Sequence, residues 1–135
     1  MQKEILVIDD SAAMRKILQK VLKQAGIRVR SVMEASDGNE AIELLKTRRV
    51  DIIFADLNMP KMDGFRFLTM LKSVEQWRRI PVLVVTTESS QAVVSEAIRL
   101  GAAAYVRKPF TAEQIKEKLL GVLEQEEHAS PTIDA

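Results

Sequence analysis

Ile5-Leu6-Val7-Ile8-Asp9-Asp10-Ser11 is the stretch that decides the fold. Its run of consecutive apolar residues leaves no polar face, so a strand formed there must be covered on both sides, as a central strand of a parallel sheet is. Ile52 to Ala55 and Val82 to Val85 share that two-sided character, and Val32 to Ala35 and Ala104 to Val106 complete a set of five strands. Between them run amphipathic stretches of period 3.6. Met14, Ile17, Leu18, Val21, Leu22 and Ala25 fall on one face of a first helix that Gly26 stops. Asp37 caps a second helix, with Glu40 placed to complete a capping box and Ala41, Ile42, Leu44 and Leu45 forming its buried stripe. A third helix turns Phe65, Leu68 and Leu71 or their neighbours inward, and a fourth runs from Gln91 to Leu100 and ends at Gly101. The fifth takes Thr111 as cap and Gln114 as its reciprocal partner, then buries Ile115, Leu119, Val122 and Leu123. Strands alternating with helices predict an α/β fold: a doubly wound, five-stranded parallel sheet flanked by five helices. The folded unit is expected over residues 1–124, with 125–135 an acidic, polar, flexible tail.

Composition narrows the chemistry. The 135 residues suffice for one domain with its own core. Lys and Arg total 20 against 19 Asp and Glu, a formal charge of +1, with the basic residues scattered rather than gathered into one stripe. Direct binding of nucleic acid is therefore not expected. The absence of cysteine removes disulfides, thiolate metal sites and cysteine nucleophiles. The single histidine, His128, lies in the expected tail, which argues against a Ser-His-Asp triad or a multi-histidine metal site. Any metal would be held by oxygen. Met1-Gln2-Lys3-Glu4 precedes an apolar run too short for a signal peptide, and no later run approaches membrane-spanning length, so a cytoplasmic protein without a membrane partner is expected.

In an open α/β sheet ligands bind beyond the carboxyl ends of the strands. The residues placed there are polar in every case that matters: Asp9 and Asp10 after the first strand, Asp56 after the third, Thr86 after the fourth, Arg107 and Lys108 after the fifth. Taken singly, Asp9 or Asp10 is an ordinary helix cap, Asp56 a turn residue before Pro60, and Lys108 a solvated charge. Their joint placement is what carries information. Clustered carboxylates repel, and burying them uncompensated costs several kcal/mol or forces protonation. A hard divalent cation such as Mg²⁺ meets the need, keeping open positions for a phosphoryl oxygen, and Lys108 adds a second positive charge. Together they suit phosphoryl transfer, in which electrostatics supplies most of the catalysis and one carboxylate is left to act as nucleophile.

The ordered set Ile5-Leu6-Val7-Ile8-Asp9-Asp10-Ser11, Asp56-Leu57-Asn58-Met59-Pro60 with Met62-Asp63-Gly64, Val85-Thr86, Gly101-Ala102 and Lys108-Pro109-Phe110 resembles the receiver-domain family of two-component response regulators, in particular its stand-alone, CheY-like chemotaxis type. The resemblance covers about Lys3 to Leu123. It implies a flavodoxin-like strand order of 2-1-3-4-5. It also implies that Asp56 is the phosphoacceptor, and that Asp10, Asp56 and the backbone carbonyl of Asn58 bind Mg²⁺, with Mn²⁺ as an alternative ion and Asp9 acting through a metal-bound water. By the same resemblance Lys108 contacts the phosphoryl oxygens, Thr86 is the switch hydroxyl and Tyr105 the coupled aromatic. Asn58, Thr87 and Glu88 fall where the family tunes the lifetime of the phosphorylated state, and the Lys108-Pro109 bond is implied to be cis. The implied partners are a histidine kinase or histidine phosphotransfer protein and a downstream target on the face of the fourth helix, fifth strand and fifth helix. The chain is expected to be a monomer, with dimerisation on phosphorylation as the alternative.

Thr87 departs from the family, which usually places a small residue after the switch hydroxyl, so entry or loss of the phosphoryl group is expected to be slowed. The expected function is that of a switch, not an enzyme acting on a pool of substrates. Its readings are control of a chemotaxis target or onward relay of the phosphoryl group. An Mg²⁺-dependent phosphatase with an Asp nucleophile is a competing class, weakened because Asn58 stands where such enzymes place a second carboxylate. A pseudo-receiver used only for protein contacts is weakened by the intact acidic set.

Overall fold

The computed structural model describes residues 2–59, 62–88 and 90–129, with side chains of the final helix as far as Glu124. Pro60 and the end of the expected tail, 130–135, lie outside the described residues. The chain alternates β1 (Lys3–Ile8), α1 (Ala12–Gln24), β2 (Val29–Ala35), α2 (Gly38–Thr47), β3 (Ile52–Ala55), α3 (Gly64–Ser73), β4 (Val82–Thr86), α4 (Gln91–Arg99), β5 (Ala104–Arg107) and α5 (Ala112–Ala129). The five strands form one sheet in the order β2-β1-β3-β4-β5, and every neighbouring pair is parallel.

Pleating sorts the apolar runs between two cores. Ile5 and Val7 of β1, Ile52 and Phe54 of β3, and Leu83 and Val85 of β4 point to one side, where Leu18, Leu22, Ile115 and Leu119 of α1 and α5 cover them. The alternate residues Leu6, Ile8, Ile53, Ala55, Val82 and Val84 point to the other, under Ile42, Leu45, Phe67, Leu68, Leu71 and Ala97 of α2, α3 and α4. Both faces of the central strands are thus dry, which is why their sequences lack alternation. Each fully buried side chain, Phe54 and Phe67 among them at 0% exposure, contributes about 1.5–3 kcal/mol by leaving water.

Helix ends follow local chemistry. The Ser11 hydroxyl caps α1 by accepting from the Met14 N–H at 3.1 Å, which leaves the carboxylates of Asp9 and Asp10 out of the cap. Asp37 caps α2 as expected, but the Glu40 carboxylate reaches back to the N–H and hydroxyl of Ser36. Thr111 and Gln114 form the full reciprocal box at the start of α5. Gly26, at φ 75°, turns the chain out of α1, and Gly101, at φ 110°, does so after α4.

Three expectations shift. Val29, Arg30 and Ser31 extend β2 beyond the apolar run: Val29 pairs with Lys3 and Ser31 with Glu4 regardless of side-chain polarity, and the register shifts at Arg30 between them. Ile17, expected inward, is 47% exposed, since the inward stripe of α1 narrows to Leu18, Val21 and Leu22. The helix α5 continues to Ala129, past the point where a flexible tail was expected; the polar, helix-favouring run after Leu123 carries it on.

Gly64 has a steric role. A Cβ there would sit 2.5 Å from the Leu57 Cα and 2.8 Å from its Cδ2, because the start of α3 lies directly on the loop that follows β3. Gly64→Ala is expected to destabilise the fold by about 1–3 kcal/mol through this overpacking. The urea midpoint should fall with unchanged slope; an unchanged midpoint would contradict the packing described.

Candidate functional site

The register of the sheet builds the site. Ile8 pairs with Ala55, so the next residues, Asp9 and Asp56, leave adjacent central strands side by side, and the Asp56 N–H donates to the Ile8 carbonyl at 3.1 Å. Asp9 continues the pleat of Ile5 and Val7, and Asp56 that of Ile52 and Phe54, so both belong to the same side of the sheet. Lys108 arrives there from the end of β5, its N–H donating to the Thr86 carbonyl at 2.9 Å, and its bond to Pro109 is cis.

The Lys108 ammonium joins the two acids. Its Nζ lies 2.7 Å from Asp9 Oδ2 and 2.9 Å from Asp56 Oδ2. Asp9 is 2% exposed and Asp56 7%, so these are desolvated, charge-assisted contacts. The remaining oxygen of each acid accepts a backbone N–H, Ser11 onto Asp9 at 2.9 Å and Asn58 onto Asp56 at 3.0 Å. Burial pushes the Lys108 pKa down, but its hydrogen bonds to Asp9 and Asp56 and their charges outweigh this, and the net direction is upward.

Asp10 completes the group. It is exposed, and one carboxylate oxygen from each of Asp9, Asp10 and Asp56 lies within 4.8 Å of the others. Three carboxylates against one ammonium leave two net negative charges at this rim. The donor set is all oxygen, it retains unused lone pairs, and its excess charge matches a hard divalent cation. The residues present therefore fit such an ion.

Two groups lie on the opposite pleat. Thr86 continues the side of Val82 and Val84 and is fully buried, and its hydroxyl oxygen accepts the Glu88 N–H over a long 3.3 Å. Tyr105 packs half-buried against that same core, paired in the neighbouring strand beside Val84, and its hydroxyl is buried with no hydrogen-bond partner among the described residues. Burial raises the Tyr105 pKa, with the Arg107 charge opposing and Glu88 adding. Asn58, Thr87 and Glu88 are exposed, so the side chain of Thr87 does not fill the core. The structure thus gathers Asp9, Asp10, Asp56 and Lys108 into one cluster and sets Thr86 and Tyr105 on the far side of the sheet plane.

Arg15 was not legible as a site residue. Its Nη1 donates to the Asp9 carbonyl at 2.6 Å while Nε pairs with Glu34 Oε1 at 2.8 Å, so it clamps the acidic loop to β2. The hydrogen bond from Arg15 holds the Glu34 carboxyl below its usual range. On the sequence Arg15 is one more polar position of an amphipathic helix; only the pairing of β1 with β2 brings Glu34 to it.

The chain belongs to the response regulator receiver family, whose model matches residues 5–120. Within that class its relatives are CheY-like. It is 36% identical to the chemotaxis protein CheY-3 of Vibrio cholerae over 90% of this chain and 92% of that one, and 36% identical to the chemotaxis protein CheY of Pseudomonas aeruginosa over 90% and 97%. Among solved structures, the chemotaxis response regulator CheY4 of Vibrio cholerae superposes with a TM-score of 0.80 at 34% identity, covering 90% of this chain and 99% of that one. Among the described residues no helix is long and apolar enough to cross a membrane.

Lys108→Met is expected to leave Asp9 and Asp56 facing each other without a shared cation and to lower stability at neutral pH by on the order of 2 kcal/mol. The folded-state pKa of Lys108 is raised, so its contribution is fully present below about 10.4 and lost as pH climbs through the higher folded value. Urea unfolding across pH should show a steady gap between wild type and variant up to that point, closing above it. Equal stability of the two proteins at neutral pH would contradict the ion-pair account.

Proposed function

We propose that this receiver domain is a phosphoryl-accepting switch in which Asp56 is the acceptor. The observation that carries the reading is Lys108 bridging Asp9 and Asp56 beside the exposed Asp10. The donor is a phosphohistidine of a histidine kinase or of a histidine phosphotransfer protein. A carboxylate oxygen of Asp56 attacks phosphorus, the P–N bond breaks with its electron pair going to the imidazole, and Asp56 becomes an acyl phosphate.

The residues that would hold Mg²⁺ are Asp10, Asp56 and the backbone carbonyl of Asn58, with the Asp9 carboxylate beside them. When bound, Mg²⁺ neutralises charge on the transferring oxygens. Lys108, already 2.9 Å from Asp56 Oδ2, supplies the protein's own positive charge to those oxygens without a large excursion. Ser11 and Asn58 N–H groups fix the carboxylates they touch, so little reorganisation accompanies attack.

Thr86 and Tyr105 carry the signal outward. Among the described residues the Thr86 hydroxyl accepts one long hydrogen bond and donates none, which leaves its proton for a phosphoryl oxygen. Tyr105, with an unsatisfied buried hydroxyl, is poised to repack when Thr86 moves. Driving such a switch from about 1:99 to 99:1 takes roughly 5.5 kcal/mol of differential stabilisation, so several contacts must change together. The responding face is α4, β5 and α5, where a cavity of about 360 Å³ lies beside Tyr105, Arg107 and Lys118. Likeness to chemotaxis proteins supports a chemotaxis target as the downstream partner and a cytoplasmic setting, with onward phosphorelay as the alternative. Asn58, Thr87 and Glu88 set the lifetime of the acyl phosphate from the rim.

Incubation with radiolabelled acetyl phosphate and Mg²⁺ is expected to label wild type at Asp56, with labelling of Asp56→Asn falling to background. Full labelling of that variant, or mapping of the modification elsewhere, would overturn the assignment.

A further inference from the structure

The opposite edge of the sheet carries a second built feature, independent of Asp56. At the amino ends of β3 and β4 a cavity of about 330 Å³ opens, lined by buried or half-buried Leu45, Val50, Trp77 and Ile80 and by exposed Arg48 and Arg49. Trp77 lies on the turn between α3 and β4, followed by the exposed Arg78 and Arg79.

The charge there is locally unbalanced although the whole chain is only +1. Lys46 pairs with Glu43 at 2.9 Å and Arg49 with Asp51 at 3.3 Å. Arg48, Arg78 and Arg79 have no acidic partner among the described residues, and the turn itself offers only Glu75. The turn is also fixed in place. The Lys72 ammonium donates to the carbonyls of Arg78 at 3.0 Å and Ile80 at 3.1 Å, and the N–H groups of Trp77 and Arg78 donate to the Val74 carbonyl at 3.0 and 2.9 Å. An aromatic beside unpaired guanidinium groups, over a cavity that also offers Leu45, Val50 and Ile80, has the composition of a binding hot spot, and a pinned turn loses little entropy on association.

We propose that this groove docks an acidic segment of a partner protein, with an apolar side chain of that segment seated against Trp77 and its carboxylates meeting Arg48, Arg78 and Arg79. Charge complementarity selects the acidic partner, and the guanidinium fork suits carboxylates. A nucleic acid fits less well, because Lys46, Arg48 and Arg49 line one compact cavity, with Arg78 and Arg79 next to Trp77 in the chain, and they form no stripe along which a backbone could run. The site lies away from the phosphorylation rim, so a partner held here leaves Asp56 and the face around Tyr105 accessible.

Trp77 is the chain's single tryptophan, so its emission reports on the groove directly. Titrating the full chain with a short synthetic peptide of glutamates around one leucine is expected to shift that emission saturably, with affinity falling as salt rises. The triple charge reversal R48E/R78E/R79E should weaken binding about tenfold or more, and a glutamine version of the peptide should bind as poorly to wild type. Circular dichroism checks the fold of the triple variant; Arg48→Ala, a single exposed change, provides a second test with a loss of about threefold. The proposal is overturned if emission does not respond at low salt, if the folded variants bind like wild type, or if a single-stranded oligonucleotide or anionic lipid vesicles bind this groove more tightly than the peptide.

Discussion

Two buried carboxylates from neighbouring strands share one ammonium, and the rest of the architecture serves to hold that arrangement. Asp9 and Asp56 could not stand this close in a dry setting without a cation between them. Lys108 comes from β5, at the edge of the sheet, so the contact ties the chain's first strand to its last. It leaves the rim two charges short of neutrality once Asp10 is counted, and that deficit is what makes the site receptive to a divalent ion. Structural need and chemical competence thus have one source.

Sheet register sets which groups share a side of the sheet. Because side chains alternate across the pleat, the acids and Lys108 continue one side while Thr86 and Tyr105 continue the other. A slip of one residue in any central pairing would send an acid to the wrong side. The two-sided apolar runs of β1, β3 and β4 prevent that by burying every residue in its place. Thr86 therefore ends β4 fully buried on the side of the core that Tyr105 packs against, across the pleat from the acids.

Much of this was legible in the sequence because strong constraints leave local marks. A doubly buried strand must be apolar throughout, which exposed β1, β3 and β4, and polar residues directly after such strands marked the rim. Features set by tertiary pairing left no such mark. The clamp of Arg15 on Asp9 depends on Glu34 arriving from β2. The extension of β2 to Val29 depends on β1 as the partner of Val29 and Ser31, and the exposure of Ile17 on how narrowly α1 seats on the sheet. The run of α5 past Glu124 reflects helix propensity in residues that their polarity alone had assigned to a tail.

The most direct measurement of the central claim is calorimetric titration of the unphosphorylated chain with Mg²⁺. A rim with excess negative charge and an all-oxygen donor set predicts saturable binding at a single site in the millimolar range or tighter, lost when Asp10 is replaced by asparagine. No saturable heat, or binding unaffected by that replacement, would contradict the claim that these carboxylates form a cation site.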